Sequence, residues 1–189
     1  MPVWGWVLIA VAIVIVIAVF VAAMLSRRRS AHLRGTFGPE YDRAVGDTSN
    51  KRKAEEELAE RERRRAQLDI HPLDPAARQH YAERWQQASA DFVDAPATAV
   101  TQADTLIVEV MRDRGYPMDD FDQRAADISV DHPEVVGRYR DGHRISVLAA
   151  RGEASTDDLR LAMQNYRELF NQLIEPADQR QDREAAARR

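Results

Sequence analysis

The chain has 189 residues and contains no cysteine, which excludes disulfides, thiolate metal sites and a cysteine nucleophile. Its net charge of −4 is unevenly distributed: residues 1–34 carry four arginines and no acidic side chain, whereas the rest carries 23 basic and 31 acidic side chains, a net of −8. Such an acidic remainder argues against nucleic-acid binding, because neutralisation of phosphate supplies most non-specific affinity. Only two of the 27 basic side chains are lysines, which is typical of GC-rich bacterial genomes.

The first element is an uninterrupted apolar run from Val3 to Leu25. At ~1.5 Å of rise per helical residue it spans roughly 34 Å, enough to cross a hydrocarbon core of about 30 Å. We therefore predict a transmembrane anchor, residues 1–26, that contacts the lipid bilayer through Val3–Leu25. The alternative is a cleavable signal peptide, which requires a basic start, a shorter apolar core and a small-residue cleavage site that this run lacks.

The charges beside the run predict its orientation. No basic side chain precedes it, whereas Arg27, Arg28, Arg29 and Arg34 follow it closely. Cytoplasmic flanks carry the excess of arginine and lysine. The rule places the N-terminus outside a bacterial cell membrane and the remaining chain in the cytoplasm.

Two segments separate the anchor from the rest of the chain. Residues 27–50 are predicted to be a basic juxtamembrane segment and linker, with a short helix that begins at Gly38-Pro39. Residues 51–68 are dense in charge and predict a solvated stalk helix. A dimerising coiled coil is less favoured because apolar positions are sparse. A lipid-binding patch at Arg61–Arg65 is disfavoured by the interleaved glutamates.

Residues 69–175 predict one all-α domain, a compact bundle of four to five helices, because no stretch alternates with period two and apolar side chains recur at helical spacing. Helix starts are predicted at Asp74-Pro75, Pro96, Asp131-His132-Pro133 and Ser155–Asp158. A short helix is expected over 120–127, and Gly115 is expected to cap a helix in the left-handed conformation. Residues 176–189 are predicted to be a disordered tail.

The chain carries no motif for catalysis, for a metal or for a cofactor, and we predict none of the three. His132 and His143 would lie roughly 16 Å apart on one helix, too far to share a metal. An acidic cluster at Asp119, Asp120 and Asp122 lacks the glycine and the distal glutamate of a calcium loop.

Two groups of residues are candidates for binding. The corner formed by Arg112, Arg114, Tyr116 and Pro117 is the best candidate interaction surface, since arginine and tyrosine are enriched at interface hot spots. The alternative is a polar cleft with Tyr139, Arg140 and His143. For His143 we favour a hydrogen-bonded core histidine, because one buried histidine without a neighbouring acid is not a catalytic set.

Three strings resemble a family of uncharacterised bacterial membrane-anchored proteins: Phe37–Arg43, Met111–Pro117 and Ser129–Pro133. The likeness extends from about Leu33 to Leu173. It implies a single anchored helical domain and brings no activity, cofactor, partner or functional residue with it.

These observations together predict a single-span adaptor or scaffold whose domain binds another protein at the cytoplasmic face. One alternative is an enzyme with a site assembled from His143, Arg140, Asp131 and Tyr116. A second is a domain of opposite topology that faces the cell envelope.

Overall fold

The computed structural model describes residues 3–48 and 50–175, with the side chains of Trp4 and of residues 11–48 and 50–175. The predicted tail, residues 176–189, lies outside the described residues. All regular structure in the described part is helical, which confirms the all-α prediction. The eight helices are α1 Val3–Phe37, α2 Pro39–Asp47, α3 Lys51–Arg65, α4 Pro75–Asp91, α5 Pro96–Asp113, α6 Phe121–Asp131, α7 Val136–Ala150 and α8 Thr156–Ile174.

Helix α1 is long and apolar enough to cross a membrane, judged by its length and composition. Its apolar side chains from Val11 to Leu25 are exposed in the structure, and none of its most apolar stretch is buried. A core helix of a soluble protein would bury such side chains. The lipid bilayer is a medium that would cover them.

The chain divides into two compact units, residues 1–59 and residues 60–189, and the division falls inside α3. In the first unit, the predicted linker differs from the structure. Helix α1 continues without a break through the arginines to Phe37, and α2 follows after Gly38, whose φ of 45° lies in the left-handed region. Leu33 and Phe37 are buried, so packing rather than local propensity extends the helix beyond the apolar run. Helix α2 begins at Pro39, as predicted.

The second unit is a five-helix bundle, α4 to α8, arranged around α5. Helix α5 packs against α4, α7 and α8, and α6 packs against α7. Helix α5 buries apolar side chains that recur at helical spacing, as the sequence predicted for this domain: Val100, Ala103, Leu106, Ile107, Val110 and Met111. Helix α8 likewise buries Leu159, Ala162, Met163, Tyr166, Leu169, Phe170 and Leu173.

Local capping chemistry sets several helix ends of this bundle. The Asp74 carboxylate accepts a hydrogen bond of 2.8 Å from the backbone N–H of Ala77, and Ser155 forms a capping box with Asp158; both were predicted. Gly115 has a φ of 92°, as expected for a left-handed cap. A Cβ at that position would lie 2.3 Å from the backbone oxygen of Asp69, so both the positive φ and this close approach require glycine at position 115.

The predicted helix start at Asp131-His132-Pro133 is wrong. Asp131 is the last residue of α6, His132 is its C-cap, and α7 begins only at Val136. Helix α6 therefore extends four residues beyond the predicted 120–127. The Asp131 carboxylate accepts side-chain hydrogen bonds from distant residues instead of capping α7.

Candidate functional site

The predicted interaction corner is largely turned inward. Arg112 is exposed and Pro117 is half-buried, but Arg114 and Tyr116 are each only 3 % exposed. The Arg114 guanidinium donates hydrogen bonds to the backbone oxygens of His71 (3.3 Å) and Leu173 (3.2 Å). Two of the four residues thus hold the fold together and are inaccessible to a partner.

The Tyr116 hydroxyl takes part in a second structural contact. It donates a hydrogen bond of 2.7 Å to the Asp131 carboxylate, which also accepts one of 2.5 Å from Nε of Arg65 on α3. Burial and the nearby Asp131 charge raise the pKa of the Tyr116 hydroxyl, which keeps it protonated as a donor. Tyr116 and Asp131 therefore meet as the rival enzyme hypothesis required, but an arginine already neutralises the carboxylate.

A neighbouring arginine makes the same kind of contact one helical position earlier. Nε of Arg64 donates a hydrogen bond of 3.0 Å to Asp127, which is fully buried, and the same guanidinium pairs with Asp119. The Asp127 charge, first among several causes, raises the pKa of Arg64. Arg61 lies 3.5 Å from the Ser129 hydroxyl. We call these contacts of Arg61, Arg64 and Arg65 with α6 and the turn before it the arginine clasp.

The clasp revises the interpretation of the stalk. The C-terminal half of α3 was predicted to be solvated, whereas Arg64 and Arg65 are committed to carboxylates of the same compact unit. The acidic cluster at Asp119, Asp120 and Asp122 contributes Asp119 to this contact and Asp120 as the N-cap of α6. Guanidinium groups engaged in this way are not available to lipid.

The predicted polar cleft contains a carboxylate that the sequence analysis missed. Nδ1 of His143 lies 3.5 Å from Oδ1 of Asp104 on α5, and the same oxygen accepts a hydrogen bond of 2.7 Å from the Tyr166 hydroxyl. The His143 ring stacks on Phe121 at 3.7 Å between centroids. Asp104 thus joins α5, α7 and α8 through side chains that are 39 and 62 residues away in sequence.

The surroundings of this pair are mostly aromatic. Tyr139 is fully buried beside Phe121, and burial raises the pKa of its hydroxyl to about 12 although Arg124 opposes the change. Burial and the Asp104 charge also raise the pKa of Tyr166. Arg140 is half-buried on α7. His143 is therefore not fully buried, since its side chain is 27 % exposed and that of Asp104 is 22 % exposed, and it has the neighbouring acid that the sequence analysis did not find.

Three of the four residues of the rival enzyme site are divided between two separate contacts. Tyr116 contacts Asp131 in the clasp, whereas His143 contacts Asp104. Two clefts of about 240 Å³ each are lined by other side chains. Within the described residues, no group of three histidine, aspartate or glutamate side chains is placed to hold a metal ion.

One of those clefts lies between the end of α4 and α8. Phe92 and Met163 form its apolar part, while Arg160 and Arg167 line it together with Ser89 and Gln164. The next residue after Phe92 is Val93, whose side chain is 83 % exposed, the most exposed large apolar residue of the second unit. Leu161, also exposed, follows Arg160 on α8. We call the cleft lined by Ser89, Phe92, Arg160, Met163, Gln164 and Arg167 the α4–α8 cleft; sequence analysis missed it because its two sides lie about 70 residues apart.

The first unit has a buried carboxylate of its own. Oε1 of Glu55 accepts hydrogen bonds from Ser30 (2.6 Å) and Tyr41 (2.8 Å) and lies 3.5 Å from Nζ of Lys51. Burial alone would raise the pKa of Glu55, but these donors outweigh it and lower the pKa. Glu55 therefore ties the extension of α1 to α2 and to the first half of α3.

Comparison of the chain with protein-family models, with curated proteins and with solved structures found no match.

Proposed function

We propose that this chain is a single-span membrane-anchored adaptor whose helical domain faces the cytoplasm of a bacterium and binds another protein. The observation that carries the proposal is the exposed apolar stretch of α1, joined in one chain to a folded helical bundle. An anchor holds a binding domain near membrane-proximal partners and raises its effective concentration there. Membership of the bacterial family that the sequence resembles belongs to the same proposal.

The domain offers a different binding surface from the predicted corner. Arg114 and Tyr116 are buried, so we assign the partner to the α4–α8 cleft. Its two arginines and the apolar side chains of Phe92 and Met163 suit an acidic helix with apolar residues on one face, because interface centres favour apolar side chains and arginine. Arg167 contributes a cation with no carboxylate partner among the described residues.

Photo-crosslinking in intact cells tests this assignment. A photoreactive residue at Gln164, inside the cleft, should crosslink a discrete protein, whereas one at exposed Asp141 on α7 should not. The crosslink should disappear when Arg160→Glu and Arg167→Glu are combined, since both substitutions reverse the charge offered to an acidic partner. Equal crosslinking from both positions, or a crosslink that survives the charge reversal, would refute the assignment.

An enzymatic role is a second candidate because the structure supplies the acid that His143 lacked in the sequence analysis. Asp104 beside His143 is the arrangement that orients a general base. Its other contacts argue against it, since Tyr166 shares the same oxygen and Phe121 covers one ring face. A general base would require the substitution Asp104→Asn to abolish a cellular phenotype without loss of stability.

A further inference from the structure

Arg27 and Arg28 differ from the other clustered arginines in their contacts. Arg29 donates a hydrogen bond of 3.3 Å to the backbone oxygen of Glu55, and Arg34 pairs with Asp42 at 3.1 Å. Arg61, Arg64 and Arg65 belong to the clasp. Arg27 and Arg28 are exposed and have no hydrogen bond or ion pair with any described residue.

Their height along α1 matches that of lipid phosphates. Both follow the apolar run by two or three residues, which is about 3–5 Å along a helix. Headgroups occupy roughly the outer 5–8 Å on each side of the hydrocarbon core, so both guanidinium groups reach that layer. Arg34, nine residues after Leu25, lies about 13 Å from the apolar run and therefore outside the headgroup layer.

Arginine is also the side chain best suited to a phosphate. Its planar guanidinium forms bidentate hydrogen bonds to phosphate oxygens, and it is more weakly hydrated than an ammonium group. Arg28 faces away from Ser30 and Leu33, the side chains with which α1 packs in its own unit, because two residues turn a helix by about 200°.

We propose that Arg27 and Arg28 bind the phosphate groups of anionic phospholipids and give the anchor a preference for them over zwitterionic lipids. This inference depends on the proposed membrane anchor but not on the protein partner. A basic side chain at an anionic surface contributes a factor of about five to association. Two of them give a lipid preference between about fivefold and twenty-fivefold at low ionic strength.

The test uses the full chain reconstituted in vesicles of phosphatidylcholine and phosphatidylglycerol. Spin-labelled analogues of each lipid report, by electron paramagnetic resonance, the fraction of lipid immobilised against the helix. We expect phosphatidylglycerol to be immobilised preferentially, and the preference to fall when sodium chloride rises above ~0.1 M, where the Debye length is about 10 Å.

Matched variants assign the preference to the two residues. Arg27→Gln with Arg28→Gln should reduce the preference to about one, while Arg27→Lys with Arg28→Lys should retain most of it. Arg34→Gln is the control and should leave it unchanged. Equal immobilisation of both lipids by the unaltered chain, an unchanged preference in the double glutamine variant, or a loss in the lysine variant would each overturn the proposal. No immobilised lipid of either kind would overturn the anchor as well.

Discussion

The arginine clasp predicts that two adjacent arginines differ sharply in their contribution to stability. Arg64→Ala removes the cation that compensates Asp127, a fully buried carboxylate, whereas Arg63→Ala removes a side chain that is 67 % exposed and paired with Glu60. Breaking a buried ion pair costs about 3–5 kcal/mol. The Arg64 side chain is 38 % exposed and Gln123 still donates a hydrogen bond of 2.9 Å to Asp127, so we expect about 2–3 kcal/mol.

The opposite deletion should cost less. Asp127→Ala leaves Arg64 with Asp119 and with water, since that guanidinium is partly exposed. We expect a loss of about 1.5–2 kcal/mol, the lower end of the range for hydrogen bonds to charged groups, because Arg64 keeps its contact with Asp119. The double variant should lose less than the sum of the two single variants, because the buried uncompensated charge no longer exists. Arg63→Ala should cost below ~0.5 kcal/mol, as do most exposed ion pairs.

The assay is urea unfolding of the full chain in detergent, followed by tryptophan fluorescence. Trp85 stacks on Phe170 in the bundle at 4.7 Å, while the other two tryptophans lie in the apolar run and are replaced by phenylalanine in every protein compared. Equal losses for Arg63→Ala and Arg64→Ala would refute the clasp. A greater loss for Asp127→Ala than for Arg64→Ala would refute the argument from burial.

Three further predictions address the core, ionisation and topology. Gly142→Ala places a Cβ 2.9 Å from the Tyr166 ring and should destabilise the bundle by about 1–3 kcal/mol. Gly137→Ala on the same helix places a Cβ with nothing within 4 Å and should be neutral or stabilising. Urea unfolding compares the two variants, and equal effects on stability would contradict the packing of Gly142 against Tyr166. Burial and Asp113 raise the pKa of Tyr81 to about 12, and burial raises the pKa of Tyr139 to about 12, so absorbance titration should show tyrosinate forming at higher pH in the folded than in the unfolded chain. The stability that these two hydroxyls contribute is fully present below pH ~10 and decreases as the pH rises towards 12. Formation of tyrosinate at the same pH in both states would contradict this. Val93→Cys, 83 % exposed in a chain without cysteine, should react with an impermeant thiol reagent only after lysis, and labelling of intact cells would instead favour the envelope-facing topology.

The sequence predicted the elements whose signals are local. The apolar faces of α5 and α8, the Asp74 cap and the Ser155 capping box each depend on residues within one or a few turns, and all are present in the structure. The extension of α1 was missed because the burial of Leu33 and Phe37 is a tertiary effect. The boundary between α6 and α7 was missed because Asp131 is a residue type that commonly caps helix N-termini, whereas here its carboxylate accepts hydrogen bonds from the side chains of Arg65 and Tyr116.

The candidate sites were harder to predict because their partners are distant in sequence. Asp104 gave one usable signal, since it follows Val100 by four residues and precedes Ile107 by three, which places an acid at the edge of a buried stripe. Its partners on α7 and α8 could not be identified without the fold. The burial of Arg114 and Tyr116 could not be predicted, because the sequence of an arginine and a tyrosine after a helix end does not show whether their side chains are exposed or buried.

Charge runs show the same difficulty most clearly. Arg27-Arg28-Arg29 and Arg63-Arg64-Arg65 are identical triplets, each within a helix, and composition alone cannot assign one to lipid and the other to protein. The distinction depends on carboxylates more than 50 residues away, since Asp119, Asp127 and Asp131 neutralise the second run and no carboxylate of the described chain neutralises Arg27 or Arg28. A guanidinium group already paired with a buried carboxylate would lose that partner on binding a phosphate, at a cost above the gain from an exposed lipid surface. We therefore assign the proposed lipid contact to the triplet whose first two members have no ion pair with a described residue.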